Sequence, residues 1–336
     1  MEAQAQSPIS EKSYPAVMDM TLATPAMPLP LEQLLPLRKL SVTLCFLEDV
    51  HPGTHHYVPL TGFIKNLLQI DEVQLSRFSQ HFCLRPPSQP TVRYDAGDYY
   101  SFDIVVLPGD EEMFERLFLR LQQLPHSIGR TDQELHFRDN VVLVSIRDGF
   151  SDSGDKIQHP DECSVWRVQD VINEALSLQS SAELTLDWLT PARLKLVDQE
   201  STDFTFNVTK QYGQSQPGVA KDYCRSNDTF SSELLLSKVY GSLFSLLRNR
   251  CEALPNRGLL PRLQSDQVNL NWQDVSYTTP QGKRKKAGGV CGSLRLTGLD
   301  DLPFNWWCLL VLGQHLGIGE RRVFGMGHYQ LNRGLE

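Results

Sequence analysis

Leu40, Val42, Leu44 and Phe46 alternate with Ser41, Thr43 and Cys45, which predicts a half-buried strand ending at Glu48-Asp49. The polar loop His51-Pro52-Gly53-Thr54-His55-His56-Tyr57 follows, and then Leu60, Phe63, Ile64, Leu67 and Leu68 recur at helical spacing. Beyond Pro86-Pro87, Asp95-Ala96-Gly97-Asp98 predicts a hairpin-like turn into a strand through Phe102, Ile104 and Val106. Pro108-Gly109-Asp110 opens a helix with acids in its first turn and Phe114, Leu117, Phe118, Leu121 and Leu124 on one face. Val141 to Ile146 closes the set, and the order is βαββαβ, the ferredoxin-like pattern.

The second half repeats that order. Leu184, Leu186 and Trp188 share a strand face, and Ser231 or Ser232 caps a helix carrying Leu235, Val239, Leu243, Phe244, Leu246 and Leu247. Val268-Leu270-Trp272 and Val290-Leu294-Leu296 predict a strand pair. Pro303 starts an apolar helix that stops at Gly317, and Phe324, Met326, Tyr329 and Leu331 predict a last strand. The expected fold class is α+β: two tandem ferredoxin-like, RRM-like domains with a C-terminal glycine-rich loop. Residues 1–35, rich in Pro, Ala, Ser and Met, are expected to be a disordered or loosely packed leader. The first domain is expected over 36–155, a connecting segment with a short helix over 156–180, and the second domain over 181–336.

At 336 residues the chain can bury two cores, and its composition, 40% hydrophobic and 21% charged, is that of a globular protein. Its longest apolar run, around Trp306 to Leu312, is far short of the roughly 18 residues of a membrane span. No secretory signal is expected at the N-terminus, and seven cysteines without a CxxC pair predict reduced thiols in a cytoplasm. No HExxH or Cys/His spacing announces a metal site, and no cofactor is expected. A net charge of −8 disfavours nucleic-acid binding as a property of the whole surface, yet Lys283, Arg284, Lys285 and Lys286 form a local basic run between two predicted strands. Such a run is either an RNA grip or a solvated loop.

The candidate chemistry lies at the end of the chain. Gly317, Gly319, Gly325 and Gly327 surround Arg321 and Arg322, and His328 follows. Glycines let backbone N–H groups approach an anion, and arginine adds a fixed fork of donors, so the loop is a candidate phosphate cradle. The other explanation is that the glycines only cap a helix and make a tight turn. Neither a dinucleotide fingerprint nor a nucleotide P-loop is present, because Arg322 stands where GxGxxG needs its third glycine and no GxxxxGK[ST] occurs.

This ending resembles the C-terminal signature of the CRISPR repeat-processing endoribonucleases of the RAMP superfamily: an apolar helix, G-x-G, a short basic interval, and G-x-G before an aromatic-containing strand. Tyr94-Asp95-Ala96-Gly97-Asp98-Tyr99-Tyr100-Ser101-Phe102 resembles that family's y-x-x-G-D-x-y-x-F turn, and Leu189-Thr190-Pro191-Ala192-Arg193-Leu194-Lys195 resembles its f-x-T-P-x-R-L-K. The resemblance implies tandem ferredoxin-like domains and metal-independent cleavage of precursor RNA within each repeat, leaving a 2′,3′-cyclic phosphate and a 5′-hydroxyl. It implies a catalytic histidine just after the first strand, where this chain has His51, His55, His56, Tyr57 and Lys65. His55 and His56 are the candidate acid and base, with Tyr57 or Lys65 assisting. Some family members carry the histidine further along the first helix, where Lys65-Asn66 stands here. Lys283 to Lys286, the loop glycines, Arg321, Arg322 and His328 are the candidate RNA contacts. The expected partners are CRISPR repeat RNA and other effector subunits, with no membrane. A non-catalytic RAMP subunit that holds guide RNA is the alternative.

Overall fold

A computed structural model describes residues 30–52, 56–87, 91–124, 140–181, 183–196, 223–248, 250–251, 260–274, 276–278, 284–286 and 288–334. The first sheet contains β1 (Arg38–Phe46), β2 (Phe82–Arg85), β3 (Tyr99–Val106) and β4 (Val141–Asp148) in the order β2-β3-β1-β4, with every neighbouring pair antiparallel. The alternation expected in β1 is observed: Leu40, Val42, Leu44 and Phe46 are buried beneath α1 (Tyr57–Leu68) and α3 (Glu111–Gln122). Asp110 caps α3 by accepting from Met113 N, and Phe114, Leu117, Phe118 and Leu121 form its buried face.

One helix between these elements is not predicted by the hydrophobic pattern. α2 (Glu72–His81) starts at a capping box in which the Asp71 carboxylate accepts from Gln74 N and the Gln74 side chain accepts from Asp71 N. It carries few buried apolar residues, so periodicity leaves it nearly silent, while the Asp-x-x-Gln cap is the readable signal.

The second sheet contains β5 (Leu184–Ala192), β6 (Gln264–Gln273), β9 (Gly289–Thr297) and β10 (Tyr329–Arg333) in the order β10-β5-β9-β6. It has the same ferredoxin-like topology, backed by α5 (Ser232–Leu247) and α6 (Phe304–Leu316). Ser231 is the cap of α5, accepting from Leu234 N, and α6 runs from the Pro303 cap to Gly317. Between β6 and β9 the pairing continues as a ribbon, β7 (Ser276–Thr278) against β8 (Arg284–Lys286).

Two expected boundaries need correction. Residues 1–29 lie outside the described residues, but 30–35 are not a loose leader: a 3-10 turn over Leu31–Leu34 buries Leu31, Leu34 and Leu35 in the core of the second domain. Full burial of such a side chain contributes roughly 1.5–3 kcal/mol, enough to fix a short segment that lacks a regular period. The expected connecting segment also belongs to a core. Its helix α4 (Val168–Gln179) buries Val171, Ile172, Ala175 and Leu178 against α6, so the second hydrophobic layer begins well before residue 181. Among the described residues no helix is long and apolar enough to cross a membrane.

Candidate nucleic-acid interface

The glycine loop after α6 is closed by its own hydrogen bonds. Gly317 N donates to Gly313 O at 2.8 Å, Gly319 N to Ser242 Oγ at 2.8 Å, Gly325 N to Arg322 O at 2.8 Å, and Gly327 N to Pro191 O at 3.0 Å. A cradle needs N–H groups aimed outward, and all four here are engaged by the protein. The expectation that these glycines hold phosphate through their amides is therefore corrected: the loop is glycine-rich because it is packed. Gly327 has φ +79°, and a Cβ there would fall inside Ile318 O; Gly325 has φ +77°, and its Cβ would lie 2.6 Å from Pro86 Cδ and 2.8 Å from Leu84 O.

Two of the sequence motifs prove to be halves of one unit. Thr190 Oγ1 accepts from His328 N at 2.9 Å, Pro191 O accepts from Gly327 N, and Arg193 O accepts from Glu320 N at 3.0 Å. The Arg193 guanidinium returns to Glu320 Oε2 at 3.2 Å, donates to Gly288 O at 3.4 Å, and stacks on the Tyr223 ring with its Cζ 4.1 Å from the centroid. Tyr223 Oη donates to the same Glu320 oxygen at 2.8 Å. Arg193 thus braces the loop against β5 and the root of the ribbon, a role that T-P-x-R spacing alone does not reveal.

The loop also forms the domain junction. His328 is fully buried and its Nε2 meets Leu84 O of β2 at 3.0 Å. Burial, with the positive charges of Arg85 and Arg322, pushes its pKa down to about 3, so it is neutral and donates that hydrogen bond. The side chain expected from the sequence to contact RNA is thus turned into the junction in this arrangement. Arg321 adopts a left-handed conformation (φ 64°), and Arg322 reaches toward β2, its Nη1 4.0 Å from Cys83 Sγ.

The histidine candidates separate. His55 lies outside the described residues, as does the side chain of Tyr57 at the start of α1. His56 is fully buried at the N-cap of α1, with Nε2 3.0 Å from Thr91 O and its ring packed 5.8 Å from Tyr94 and 5.5 Å from Tyr100. Those tyrosines belong to the y-x-x-G-D motif, whose turn is tied by Asp98 Oδ2 accepting from Asp95 N. His56 therefore packs against both tyrosines in this arrangement. Lys65 is half-buried on α1, and His51 is exposed.

Lys283 lies outside the described residues; Arg284, Lys285 and Lys286 form β8, opposite Thr278, Tyr277 and Ser276. The ribbon continues the register of the β6–β9 pair. At its root Trp272 lies flat over Gly288, whose Cβ would come within 2.5 Å of the indole, while the exposed Arg225 sits 5.3 Å from the Trp272 ring. Arginine beside a half-exposed indole offers a stacking surface for bases. Sequence reasoning misses Trp272 and Arg225 because they meet only through the fold.

Comparison with known proteins agrees with this architecture. The family model of the CRISPR-associated endoribonuclease Cas6 matches residues 186–329. No curated protein matches the chain significantly. Among solved structures, a partial Cas6-RT-Cas1–Cas2 complex aligns over 93% of this chain and 47% of its own with 18% identity and a TM-score of 0.62. The Cas6-RT-Cas1–Cas2 complex gives the same identity and TM-score over 93% of this chain and 30% of its own. A Cas6 product complex aligns over 88% of this chain and 99% of its own with 15% identity and a TM-score of 0.53. The chain thus spans about half, or less, of the length of the first two. Residues 186–329 match the CRISPR-associated endoribonuclease Cas6 family, the family that the sequence motifs resemble, and both sheets have the tandem ferredoxin-like fold of its solved structures.

Proposed function

We propose that this chain binds CRISPR repeat RNA and cuts the precursor within each repeat without a metal. The observation that carries the reading is the Cas6 family match over the part of the chain that holds both the packed glycine loop and the basic ribbon. In the proposed reaction a base removes the proton of a 2′-hydroxyl, and the 2′-oxygen forms a bond to the adjacent phosphorus. The bond from phosphorus to the 5′-oxygen breaks, an acid protonates that oxygen, and the products carry a 2′,3′-cyclic phosphate and a 5′-hydroxyl. His55 is the leading candidate for acid or base, with Tyr57 and Lys65 near it in the chain. Lys283 to Lys286 are proposed to hold stem phosphates, and Arg225 with Trp272 an unpaired base. Other CRISPR proteins are proposed partners, since the first two relatives are assemblies with Cas1 and Cas2.

The burial of His56 favours a second reading, an RNA-binding subunit that does not cut. Incubation of the purified chain with labelled repeat RNA in EDTA separates the two. Site-specific cleavage supports the nuclease, and retention of intact RNA supports the subunit.

A further inference from the structure

Arg85, at the end of β2, is a cation whose surroundings do not satisfy it. Among the described residues its guanidinium has no hydrogen-bond acceptor and no carboxylate within ion-pair distance, yet it is partly buried, and burial pulls its pKa down. The carboxylate acting on it, Asp103 on the paired strand, is held by Lys39 Nζ at 3.1 Å and Ser41 Oγ at 2.8 Å. Arg322 likewise lacks a carboxylate partner: among the described residues its one hydrogen-bond contact is the Cys83 sulfur, a neutral thiol whose pKa burial raises. Cys83 and Arg85 are two residues apart on β2 and point to the same face, about 7 Å apart along the strand. Arg85 from the first domain and Arg322 from the second therefore converge beside the neutral His328, on which both charges act. Asp103 already serves Lys39, so positive charge is in excess at the junction.

The geometry points to a phosphate site shared by the two domains, in which Arg85 and Arg322 clamp one backbone phosphate of the bound RNA. The anion supplies the partner that both guanidinium groups lack among the described residues. Because the two arginines come from different domains, the phosphate also ties the domains together, so RNA binding stabilises their junction. This inference rests on the reading that RNA is the ligand.

The test is the salt dependence of repeat-RNA binding for the wild type, Arg85→Gln, Arg322→Gln and the double variant. Each single change is expected to weaken binding about tenfold, the effect of a charge-assisted hydrogen bond. Each should flatten the log–log salt slope by roughly 0.7–0.9, one phosphate. The double variant should lose little more than either single, because both arginines serve one phosphate. Unchanged affinity and slope in Arg85→Gln overturn the site.

Thermal melting separates this failure from failure of the RNA reading. Inorganic phosphate should raise the melting temperature of the wild type over chloride at equal ionic strength, and should do less for Arg85→Gln. Equal rises overturn the site, whatever the RNA result. Without phosphate, Arg85→Gln should melt at or above the wild type, since it removes an uncompensated charge; a lower melting temperature assigns Arg85 a structural role and overturns the proposal.

Discussion

Gly327→Ala should destabilise the chain strongly, whereas a phosphate cradle would weaken RNA binding and leave stability unchanged. At φ +79° an alanine costs about 1–2 kcal/mol in backbone strain alone. Its Cβ would also lie 1.8 Å from Ile318 O, and that carbonyl cannot withdraw alone, because Ile318 N donates to Gly327 O at 2.9 Å and Gly327 N donates to Pro191 O. Moving the loop exposes or orphans at least one of these buried groups, a further cost of about 1–3 kcal/mol. The expected loss is therefore about 2–5 kcal/mol. Gly241→Ala on α5 serves as the control, for a Cβ there meets nothing within 4 Å, and exchanging glycine for alanine inside a helix should stabilise by about 0.5–1 kcal/mol. Urea unfolding gives both midpoints, and RNA titration of the folded variants gives affinity. Weakened RNA binding with an unchanged midpoint in Gly327→Ala would refute the packed loop and restore the phosphate cradle.

His55→Ala should lower cleavage by about 10² or more with RNA binding retained, whereas His56→Ala should lower the urea midpoint and leave the cleavage rate per folded molecule near normal; single-turnover assays distinguish them. Replacing Lys283, Arg284, Lys285 and Lys286 by Ala should weaken RNA binding and flatten its salt slope by roughly one unit for each phosphate the ribbon no longer holds, and an unchanged slope would mean that the ribbon faces solvent. His328 has a folded pKa of about 3 against an ordinary 6.5, so the unfolded chain binds the extra proton. Stability is then full above about pH 6.5 and falls with decreasing pH toward 3, by up to about 1.4 kcal/mol per pH unit from this residue. Urea midpoints between pH 4 and 7 check the sign, and His328→Gln should flatten the dependence.

The fold is legible where one face is buried and the other wet. β1, α3, α5 and β9 each announce themselves by period, and the Pro303 to Gly317 helix by its two ends. Leu31 to Leu35 carry too few periodic positions to signal a core, while the period of Val171, Ile172, Ala175 and Leu178 in α4 announces a helix without saying which core it joins. The glycine loop is visible but ambiguous: glycine spacing looks alike whether the backbone approaches an anion or another strand, and only the acceptors of Gly319 N and Gly327 N decide. His56 shows the same limit, since a histidine in a polar loop can turn inward onto Tyr94 and Tyr100, residues that are distant in the chain. Arg85 carries no motif at all, and its charge gains meaning only once the fold brings it and Arg322 to the same buried His328.

The central claim is cleavage by the RNA's own 2′-hydroxyl. Its most direct test is single-turnover incubation in EDTA with a precursor of several repeats, beside the same RNA carrying a 2′-deoxy substitution at the cut site. One cut per repeat, 2′,3′-cyclic phosphate and 5′-hydroxyl ends, and no cleavage of the deoxy substrate despite equal binding are expected. Precursor that is bound and left intact, or a deoxy substrate cut as fast as the ribo form, would contradict that claim.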